Sequence, residues 1–332
     1  MDLELLQLRA ATMQRIRNFF INKKYLELDT PALSATLIPE SCLEVFRTDY
    51  IEPWNGLSRP LYLVPSPEIY IKRIIAQHKV SVFQLSKCYR NVESLGRIHH
   101  PEFTMLEYYT MKASYKESVK LTEDLVNAVL PPIPADRPDP WAQLRPPFMI
   151  LTMDDAFQNY AGFKLSSAMD VKELAYQAKV LNIAEPADHP FDYWTWEELY
   201  DLIFVQCVEQ KLPTSRPVII TDYPAKVPCL AKDIPVPNGA PLWKQRWELY
   251  AQGMELANCY TEENDPEKVH AFFAVESVLK QKKAKVPHPV DDGYWKIFKD
   301  FPPCSGVAMG FDRLLALIAG RKSISSVLPF TL

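Results

Sequence analysis

Apolar residues recur along the chain with two periods, which predict helices alternating with strands. In residues 3–20 they lie at roughly helical spacing with arginines between them, so we predict a helix that ends near Asn22. The next segment, YLELDTPAL, alternates apolar and polar positions as a strand does, until Pro31 stops it. LYLVPSPEIYIKRIIAQ then predicts a strand, a proline-rich turn and a second helix.

The next part of the chain predicts a long hairpin and a capped helix. SVFQLSKCYR favours a strand, and RNVESLGRIHHPEFTMLEYY (residues 90–109) favours a polar loop that returns as a second strand. SYKESVKLTEDLVNAVL favours a helix with Ser114 as its N-cap. Residues 131–147 carry seven prolines in seventeen positions, which predicts a stiff surface connection.

The second half of the chain predicts further strands between long insertions. Residues 151–210 favour a mainly helical insertion, whereas RPVIITDYP and WELYAQGMELANCY favour strands. DPEKVHAFFAVESVLKQKKAK favours a helix, and SGVAMGFDRLLALIAG favours a strand that runs into a helix. Regular βαβ units are missing from this pattern. It therefore predicts an α+β fold in which helices pack on a mainly antiparallel sheet.

Composition narrows the classes of function. Of 332 residues, 48% are apolar and 12% aromatic, which is enough for a substantial core. The formal net charge of −4 provides no overall basic field, so we do not expect tRNA as the main partner. No apolar run is long enough for a membrane span, and the charged N-terminus lacks the apolar core of a signal peptide. The six cysteines lack CxxC spacing, and together these features predict a cytoplasmic protein.

Glycine is scarce and proline is abundant, with 9 and 29 residues respectively. Neither GxGxxG nor GxxxxGK[ST] occurs in the chain, so a glycine-rich phosphate loop is not expected. If the protein binds a nucleotide, side chains must hold the phosphates.

The returning strand of the predicted hairpin carries the first candidate for chemistry. Phe103, Met105, Glu107 and Tyr109 have one parity and therefore point to one face. A carboxylate among an aromatic ring, a thioether and a phenol is costly to bury without a partner. This face therefore predicts either a cavity in which Glu107 meets a cation, or an exposed sheet face with charges placed by chance.

Two further segments carry charged side chains in suggestive positions. WELYAQGMELANCYTEE places Glu248, Glu255 and Glu262 seven residues apart, which suits Mg²⁺ or a ligand amine, or else a solvated acidic face. SGVAMGFDR places Arg313 just inside a helix after two glycines, where it can meet a polyphosphate. Together with Arg90 and Phe103, these residues supply what a nucleotide triphosphate needs, and glutamates remain for a cationic substrate.

These segments resemble the motifs of class II aminoacyl-tRNA synthetases. FQLSKCYRN…HHPEFTMLEYY is similar to motif 2, GVAMGFDR to motif 3, and the first helix with YLELDTP to the dimer-forming motif 1. PSPEIYIKR and GMELANCYTEE are similar to the lysyl branch. The resemblance covers nearly the whole chain and implies the class II catalytic domain over residues 1–332, adenylate-forming chemistry with ATP and Mg²⁺, and a homodimer.

The resemblance also implies a particular acceptor. The chain begins directly at motif 1, so we expect no N-terminal anticodon-binding domain. It thus resembles the truncated paralogues of lysyl-tRNA synthetase that join (R)-β-lysine to a lysine side chain of elongation factor P. ELAN in place of the synthetases' EIGN fits these paralogues, as does Ala308 in place of glycine. The methyl group of Ala308 would crowd an α-amino acid and favour the β-amino isomer over L-lysine.

The family's nucleotide roles transfer to matching positions of this chain. Arg90 would hold the α-phosphate and the substrate carboxylate, and Phe103 would stack on adenine. Arg313 would lie on the other face of adenine or on the γ-phosphate. These two arginines are the implied catalytic residues. The resemblance further implies Mg²⁺ on Glu248 and Glu255, and an ATP site that includes Asn91, Glu93, His99, His100, Phe103, Glu255, Leu256 and Gly310.

The substrate roles transfer in the same way. Glu262 would bind the distal ammonium with Tyr109 and Glu107, and Glu68 would take the other amino group. Asn258 would help to hold the carboxylate. The resemblance also assigns Ser66, Pro67 and Ala308 to this site.

Three positions depart from the family pattern. Val92 interrupts the usual Arg-Asn-Glu, so Glu93 is expected to take the place of the glutamate. His100 replaces the customary asparagine, which predicts a changed adenine or phosphate contact. Cys259 replaces glycine, and we expect its side chain beside the amine pocket.

Two alternatives to this function stay open. The acceptor is another molecule, such as a tRNA or a small molecule, or the protein has lost catalysis and serves as a binding module. Pyrophosphate exchange separates the catalytic functions from the binding module, and the identity of the acceptor separates the catalytic functions from one another.

Overall fold

A computed structural model describes residues 2–331 of the chain. The helices are α1 (Leu3–Asn22), α2 (Glu68–His78), α3 (Tyr115–Val129), α4 (Met153–Tyr160), α5 (Val171–Val180), α6 (Trp196–Ile203), α7 (Pro266–Lys283) and α8 (Phe311–Ile318). The strands are β1 (Leu26–Glu27), β2 (Leu33–Ser34), β3 (Arg47–Ile51), β4 (Ser58–Leu63), β5 (Val82–Tyr89), β6 (Glu102–Met111), β7 (Met149–Thr152), β8 (Val218–Pro224), β9 (Trp243–Ala251), β10 (Met254–Thr261) and β11 (Cys304–Gly310).

The principal sheet has the strand order β1-β5-β6-β11-β10-β9-β8-β7. The central pairings are antiparallel, and only the pairs β1/β5 and β7/β8 at the two edges are parallel among the described strands. The predicted α+β fold with a mainly antiparallel sheet is therefore confirmed. A smaller sheet, in the order β2-β4-β3, lies beside it.

Most of the predicted elements are present, with two local differences. The strand predicted from YLELDTPAL shrinks to Leu26–Glu27, because only these residues pair with β5 before the chain turns away. The helical insertion predicted over 151–210 opens with the end of an edge strand, β7, before α4 begins. The N-cap prediction is confirmed: Ser114 caps α3 in a capping box with Glu117.

One face of the principal sheet carries the largest hydrophobic core. Helices α1, α3 and α8 cover this face, and Phe20, Leu106, Tyr108, Trp247 and Val307 are fully or almost fully buried there. Because side chains alternate along a strand, the neighbours of these residues on β6, β9 and β11 project from the opposite face.

The opposite face is covered at its two ends and open at its centre. At the β8 end, helices α4–α6 form a second core with Val218, Ile220, Tyr223 and Tyr250 from the sheet. At the β5 end, α2 and α7 form a third core that includes Val82. The cavities described below lie on this face between the two cores. Within residues 2–331, no helix combines the length and the apolar character that crossing a membrane requires.

Candidate active site

Two cavities lie side by side on the open face of the sheet. The larger has a volume of about 320 Å³ and the smaller about 90 Å³. Arg90, Met105, Asn258 and Ala308 line both cavities and therefore form the boundary between them. The larger cavity is walled by arginines, histidines and carboxylates, whereas the smaller is dominated by glutamates. A molecule in one cavity can thus react with a molecule in the other across Arg90.

Arg90 extends from the end of β5 into the boundary. Its guanidinium carbon lies 5.2 Å from the centroid of the Phe103 ring, which is a cation–π contact across the β5–β6 hairpin. Its Nε is buried and has no hydrogen-bond partner among the described residues. Buried donors are almost always satisfied in native proteins, so this N–H points to a ligand acceptor.

Arg313 lies on the opposite wall of the larger cavity, in the first turn of α8. Its Nε donates to the carbonyl oxygen of Ile98 at 3.1 Å, and its Nη1 donates to the carbonyl of Glu255 at 2.7 Å. These contacts fix the guanidinium at the cavity wall. The neighbouring Asp312 ties α8 to the sheet, because it accepts from the Thr104 amide at 2.6 Å and from Arg9 at 2.6 Å.

The loop that connects β5 to β6 contributes Glu93, His99 and His100 to the larger cavity. Partial burial, together with the nearby Arg313, lowers the pKa of His99, so the imidazole is neutral at physiological pH. His100 is anchored through Nδ1, 2.7 Å from the carbonyl of Glu102, and its Nε2 is buried without a described partner. His99 therefore offers a neutral hydrogen-bonding group beside the arginines, and His100 offers its unpartnered Nε2.

Glu248 and Glu255 line the larger cavity from β9 and β10. Glu248 accepts hydrogen bonds from Tyr223 at 2.7 Å, Tyr250 at 2.5 Å and Arg246 at 2.5 Å. Desolvation raises the pKa of Glu255, and the neighbouring Glu248 carboxylate raises it further. Glu255 also lies 3.5 Å from Nη1 of Arg313, but its carboxylate and that of Glu248 still repel each other, so a cation bound by both would be stabilised.

The fit of this pair to Mg²⁺ can be tested from its donors. Among residues 2–331, no group of three or more His, Cys, Asp or Glu side chains is placed to hold a metal ion. Mg²⁺ commonly uses one or two carboxylates and takes its other ligands from phosphates and water. The Glu255 side chain is 40% exposed, and three donors leave Glu248 about one of its four lone-pair sites. The pair therefore fits a phosphate-bound Mg²⁺, with Glu255 as the more available ligand.

Four glutamates, Glu40, Glu68, Glu107 and Glu262, line the smaller cavity, and a buried lysine lies beside two of them. Lys72 on α2 lies 2.5 Å from Glu68 and 2.7 Å from Glu262, so one ammonium is shared by two carboxylates. Glu107 on β6 is 98% buried and accepts only a long hydrogen bond, 3.3 Å, from Tyr109. Negative charge therefore exceeds positive charge in this cavity, which favours a cationic ligand.

The pKa values of the glutamates reflect both their burial and this excess of negative charge. Burial raises the pKa of Glu107 well above its ordinary value, with a further contribution from Glu68. Burial also raises the pKa of Glu262 to about 7, although Lys72 acts in the opposite direction. An ammonium group in the cavity would lower both values, so amine binding is expected to release protons.

Replacing Glu107 with glutamine should stabilise the ligand-free protein near neutral pH. The pKa of Glu107 lies above its value of 4.5 in the unfolded chain, so its contribution is most favourable below about pH 4.5 and is lost as pH rises. The variant avoids burying this charge, so its melting temperature should exceed that of the wild type at pH 7.5, with the difference vanishing near pH 4. Thermal unfolding between pH 4 and 8 measures this. A Glu107→Gln variant that melts lower than the wild type at pH 7.5 would contradict the prediction.

Most of the predicted site residues line the two cavities. Arg90, Glu93, His99, His100, Phe103, Glu248, Glu255, Leu256, Gly310 and Arg313 line the larger one, and Ser66, Glu68, Glu107, Tyr109, Asn258, Glu262 and Ala308 line the smaller one.

Two predicted site residues lie outside the lining. Asn91 turns away, and its side chain donates to the carbonyl of Val45 at 3.2 Å. Pro67 precedes the first residue of α2, and its backbone carbonyl accepts from the amides of Tyr70 and Ile71.

The expected position of Cys259 was wrong. Its side chain is buried in the largest core and lies 3.0 Å from the hydroxyl of Ser118. Asn258 faces the cavity, so the next residue on the strand must face the opposite side of the sheet. The change from glycine at this position therefore concerns packing in the core and not the amine pocket.

Four charged residues of the site were missed by the sequence analysis, and one of them, Asp312, lines the larger cavity beside Arg313. Lys72 lies in the apolar run IYIKRII, Arg246 precedes Trp247 on β9, and Glu40 lies in the segment between β2 and β3. Alternation along β9 provides a usable signal for Arg246, because it shares the parity of Glu248. Nothing local distinguishes Lys72 or Glu40, since their partners are distant in sequence.

Comparisons with known proteins agree with this geometry. The family model described as tRNA synthetases class II (D, K and N) matches residues 3–332. Elongation factor P–(R)-β-lysine ligase of Vibrio vulnificus is 31% identical over 99% of this chain and 96% of its own length. The protein of the same name from Klebsiella pneumoniae is 33% identical over 97% of this chain and 93% of its own length. The chain therefore belongs to the class II tRNA synthetase family, and within it to the ligases that these relatives represent.

Proposed function

We propose that this chain activates (R)-β-lysine with ATP as an aminoacyl-adenylate and transfers it to a lysine side chain of elongation factor P. The observation that carries the proposal is the junction of two cavities of opposite character at Arg90 and Asn258. The arginine-rich cavity suits a polyphosphate, and the glutamate-rich cavity suits a diamine. The names of the relatives at 31–33% identity support the same substrates and the same acceptor.

In the first step, an oxygen of the substrate carboxylate attacks the α-phosphorus of ATP. A new P–O bond forms as the bond to pyrophosphate breaks, and negative charge grows on the phosphate oxygens. Arg90 faces both reactants, so it draws the two anions together and stabilises this charge. Arg313 and Phe103 hold the nucleotide, and the protein supplies positioning rather than a covalent intermediate.

In the second step, the neutral amine of the acceptor lysine attacks the carbonyl carbon of the adenylate. A C–N bond forms, AMP leaves with the electron pair of the broken C–O bond, and the amine gives up one proton.

Mg²⁺, held by Glu255 and Glu248, would neutralise the phosphates of ATP when it is bound. Glu262, Glu68 and Glu107 retain the substrate by its ammonium groups.

Replacing Ala308 with glycine should weaken the preference for the β-amino isomer. Ala308 pairs with Glu107 and Asn258 across β11 and lines both cavities, so its methyl group lies where an α-amino group would need space. We expect the ratio of kcat/KM for (R)-β-lysine over L-lysine to fall about tenfold, the scale of one methyl group in a tight pocket. Exchange kinetics with both amino acids measure this ratio. An unchanged ratio would show that the discrimination lies elsewhere.

The proposed function is tested by ATP–pyrophosphate exchange with (R)-β-lysine, L-lysine and no amino acid. Exchange that is fastest with (R)-β-lysine, followed by transfer of the label to elongation factor P, is the expected result. Exchange with L-lysine alone would favour a lysine ligase with another acceptor, such as a tRNA. No exchange from folded protein would favour a binding module.

The proposal includes a homodimer built on α1. Leu3 and Ile21 on α1, and Leu26 and Leu33 in the segment that follows, are large apolar residues that stay exposed in the single chain. Exposed apolar residues of this kind are typical of an interface between two copies of a chain. Sedimentation of the purified protein tests it, and a monomer at micromolar concentration would contradict it.

A further inference from the structure

The segment between β2 and β3 contributes an acidic side chain to the smaller cavity. Glu40 and Leu43 line this cavity together with Glu68 and Arg90. Among the described residues, no side chain or backbone group donates a hydrogen bond to the Glu40 carboxylate; Arg90, Lys72 and Lys280 act on it only through their charge. A carboxylate on a cavity wall that accepts from no protein donor is free to accept from a ligand donor.

Helix α7 holds this segment from one side. Glu276 accepts a hydrogen bond from the Ser41 amide at 2.9 Å, and the buried Lys280 donates to the carbonyl of Leu43. Glu44 accepts from the amides of Lys285 and Val286, just after α7, at 2.9 and 3.1 Å. These contacts of Glu276 and Lys280 fix the position of the segment relative to α7.

The segment is tied on its other side to the residue that follows Arg90. The Asn91 amide donates to the carbonyl of Glu44 at 2.9 Å, and the Asn91 side chain donates to the carbonyl of Val45. The next residue, Val92, has a φ of 59°, which is unfavourable for a β-branched side chain and marks a constrained turn. Arg90 and the segment that carries Glu40 are therefore fixed relative to each other.

Each of the other three glutamates that line the cavity has at least one contact within the protein. Lys72 neutralises part of Glu68 and Glu262, and Glu107 is paired with Tyr109. Burial raises the pKa of Glu40 to about 7, and the Glu68 carboxylate contributes to this shift. A ligand cation near Glu40 would relieve both effects.

The position of Glu40 fits one particular group of the substrate. In the proposed function the carboxylate of the substrate lies at Arg90, and the distal ammonium lies at Glu262 and Tyr109. A β-amino group is close to the carboxylate, so it must lie near Arg90 rather than at the far end. Glu40 lines this cavity together with Arg90, whose charge acts on it, and it accepts no hydrogen bond from the described residues.

We propose that Glu40 is a specificity-determining residue, whose carboxylate shares with that of Glu68 the binding of the ammonium of the substrate's second amino group, the one nearer to the carboxylate. This inference rests on the proposed function and deepens it. Glu276, Lys280 and Asn91 act as positioning residues, because they place the segment and do not themselves line the cavity.

The test compares two ligands that differ only in this amino group. (R)-β-lysine carries it, whereas 6-aminohexanoate has the same carboxylate and the same distal amine without it. Binding of both to wild type and to Glu40→Gln is measured by titration calorimetry, and exchange kinetics with (R)-β-lysine are measured in parallel. Glu267→Gln, an identical change at an exposed position on α7, serves as the control.

The wild type should bind (R)-β-lysine more tightly than 6-aminohexanoate. Glu40→Gln should weaken binding of (R)-β-lysine about 10- to 100-fold, the range for a hydrogen bond to a charged group, and change that of 6-aminohexanoate less than about threefold. Equal losses for both ligands, or no loss for either, would overturn the proposal. Wild-type protein that binds (R)-β-lysine but shows no exchange would sink the proposed catalytic function, whereas the ratio of affinities would still decide the role of Glu40.

Discussion

Replacing Arg90 with lysine is expected to lower the rate of ATP–pyrophosphate exchange about 100- to 1,000-fold, the usual effect of removing one group that stabilises a transition state. Arg90 lines both cavities, and its buried Nε has no described partner in the protein. A guanidinium can donate to two anions in fixed directions and stack on the Phe103 ring at the same time, whereas an ammonium is a single point charge. The positive charge is retained in Arg90→Lys, so the loss of exchange rate measures the contribution of the guanidinium's geometry.

The matched control is Arg97→Lys, which makes the same change at an exposed position of the same loop. Its exchange rate should remain within about twofold of the wild type, as is usual for surface substitutions. Exchange rates measured at increasing concentrations of ATP and amino acid, up to saturation, separate kcat from KM. If Arg90→Lys retained more than a tenth of the wild-type rate, Arg90 would be a binding residue and not the group that stabilises the reaction.

Replacing Gly306 with alanine is expected to close the smaller cavity. A Cβ atom at Gly306 would lie 2.2 Å from Oε1 of Glu262 and 2.5 Å from Cε1 of Tyr109. Both side chains are almost fully buried, at 2% and 4% exposure, so neither can move aside without displacing its neighbours. We expect the KM for the amino acid to rise about 100-fold or more, which corresponds to about 3 kcal/mol.

The affinity for ATP provides the internal reference for this variant. Gly306 does not line the larger cavity, so ATP should bind Gly306→Ala within about threefold of its wild-type affinity. Gly96→Ala is the matched substitution, since its Cβ would meet nothing closer than 3.7 Å. Equal losses of ATP and amino acid binding would indicate general misfolding and contradict a local effect.

The hairpin at the centre of the site could be predicted because its information is local. Strict alternation placed Phe103, Met105, Glu107 and Tyr109 on one face, and the structure places all four at the cavity walls. The assembly of the central motifs was predicted through the resemblance to a family, not through spacing. Charge totals and periodicity alone do not specify which strands meet.

Other features depend on irregularities and on distant partners. Glu255 and Asn258 differ in parity, yet both line a cavity, because a β-bulge shifts the register between Glu255 and Ala257. A period-two pattern cannot anticipate such an inserted residue. Lys72 pairs with Glu262, and Ser41 contacts Glu276 across 235 positions of sequence. Contacts at such separations are set by the tertiary fold, and the local sequence does not encode them.

The wrong position predicted for Cys259 has another cause. The residue was identified as a replacement of the family's glycine, but the side of the strand that its side chain faces was not considered. Adjacent residues on a strand face opposite sides, so the choice of Asn258 as a cavity residue already excludes Cys259 from that cavity. This constraint was available in the sequence.

The double role of β9 has a consequence for how the protein gains activity as it folds. Trp247 and Leu249 belong to the largest core, whereas Tyr250 belongs to the core of the helical insertion and donates a hydrogen bond to Glu248. A partly folded chain in which the insertion is unstructured would leave the rings of Tyr223 and Tyr250 without this packing and would hold the two donors to Glu248 less firmly. We expect ATP to bind the complete arrangement most tightly, so it should slow amide exchange in the helices of the insertion. Nucleotide binding would then report on the folding of the insertion, although its helices α4–α6 do not line the larger cavity.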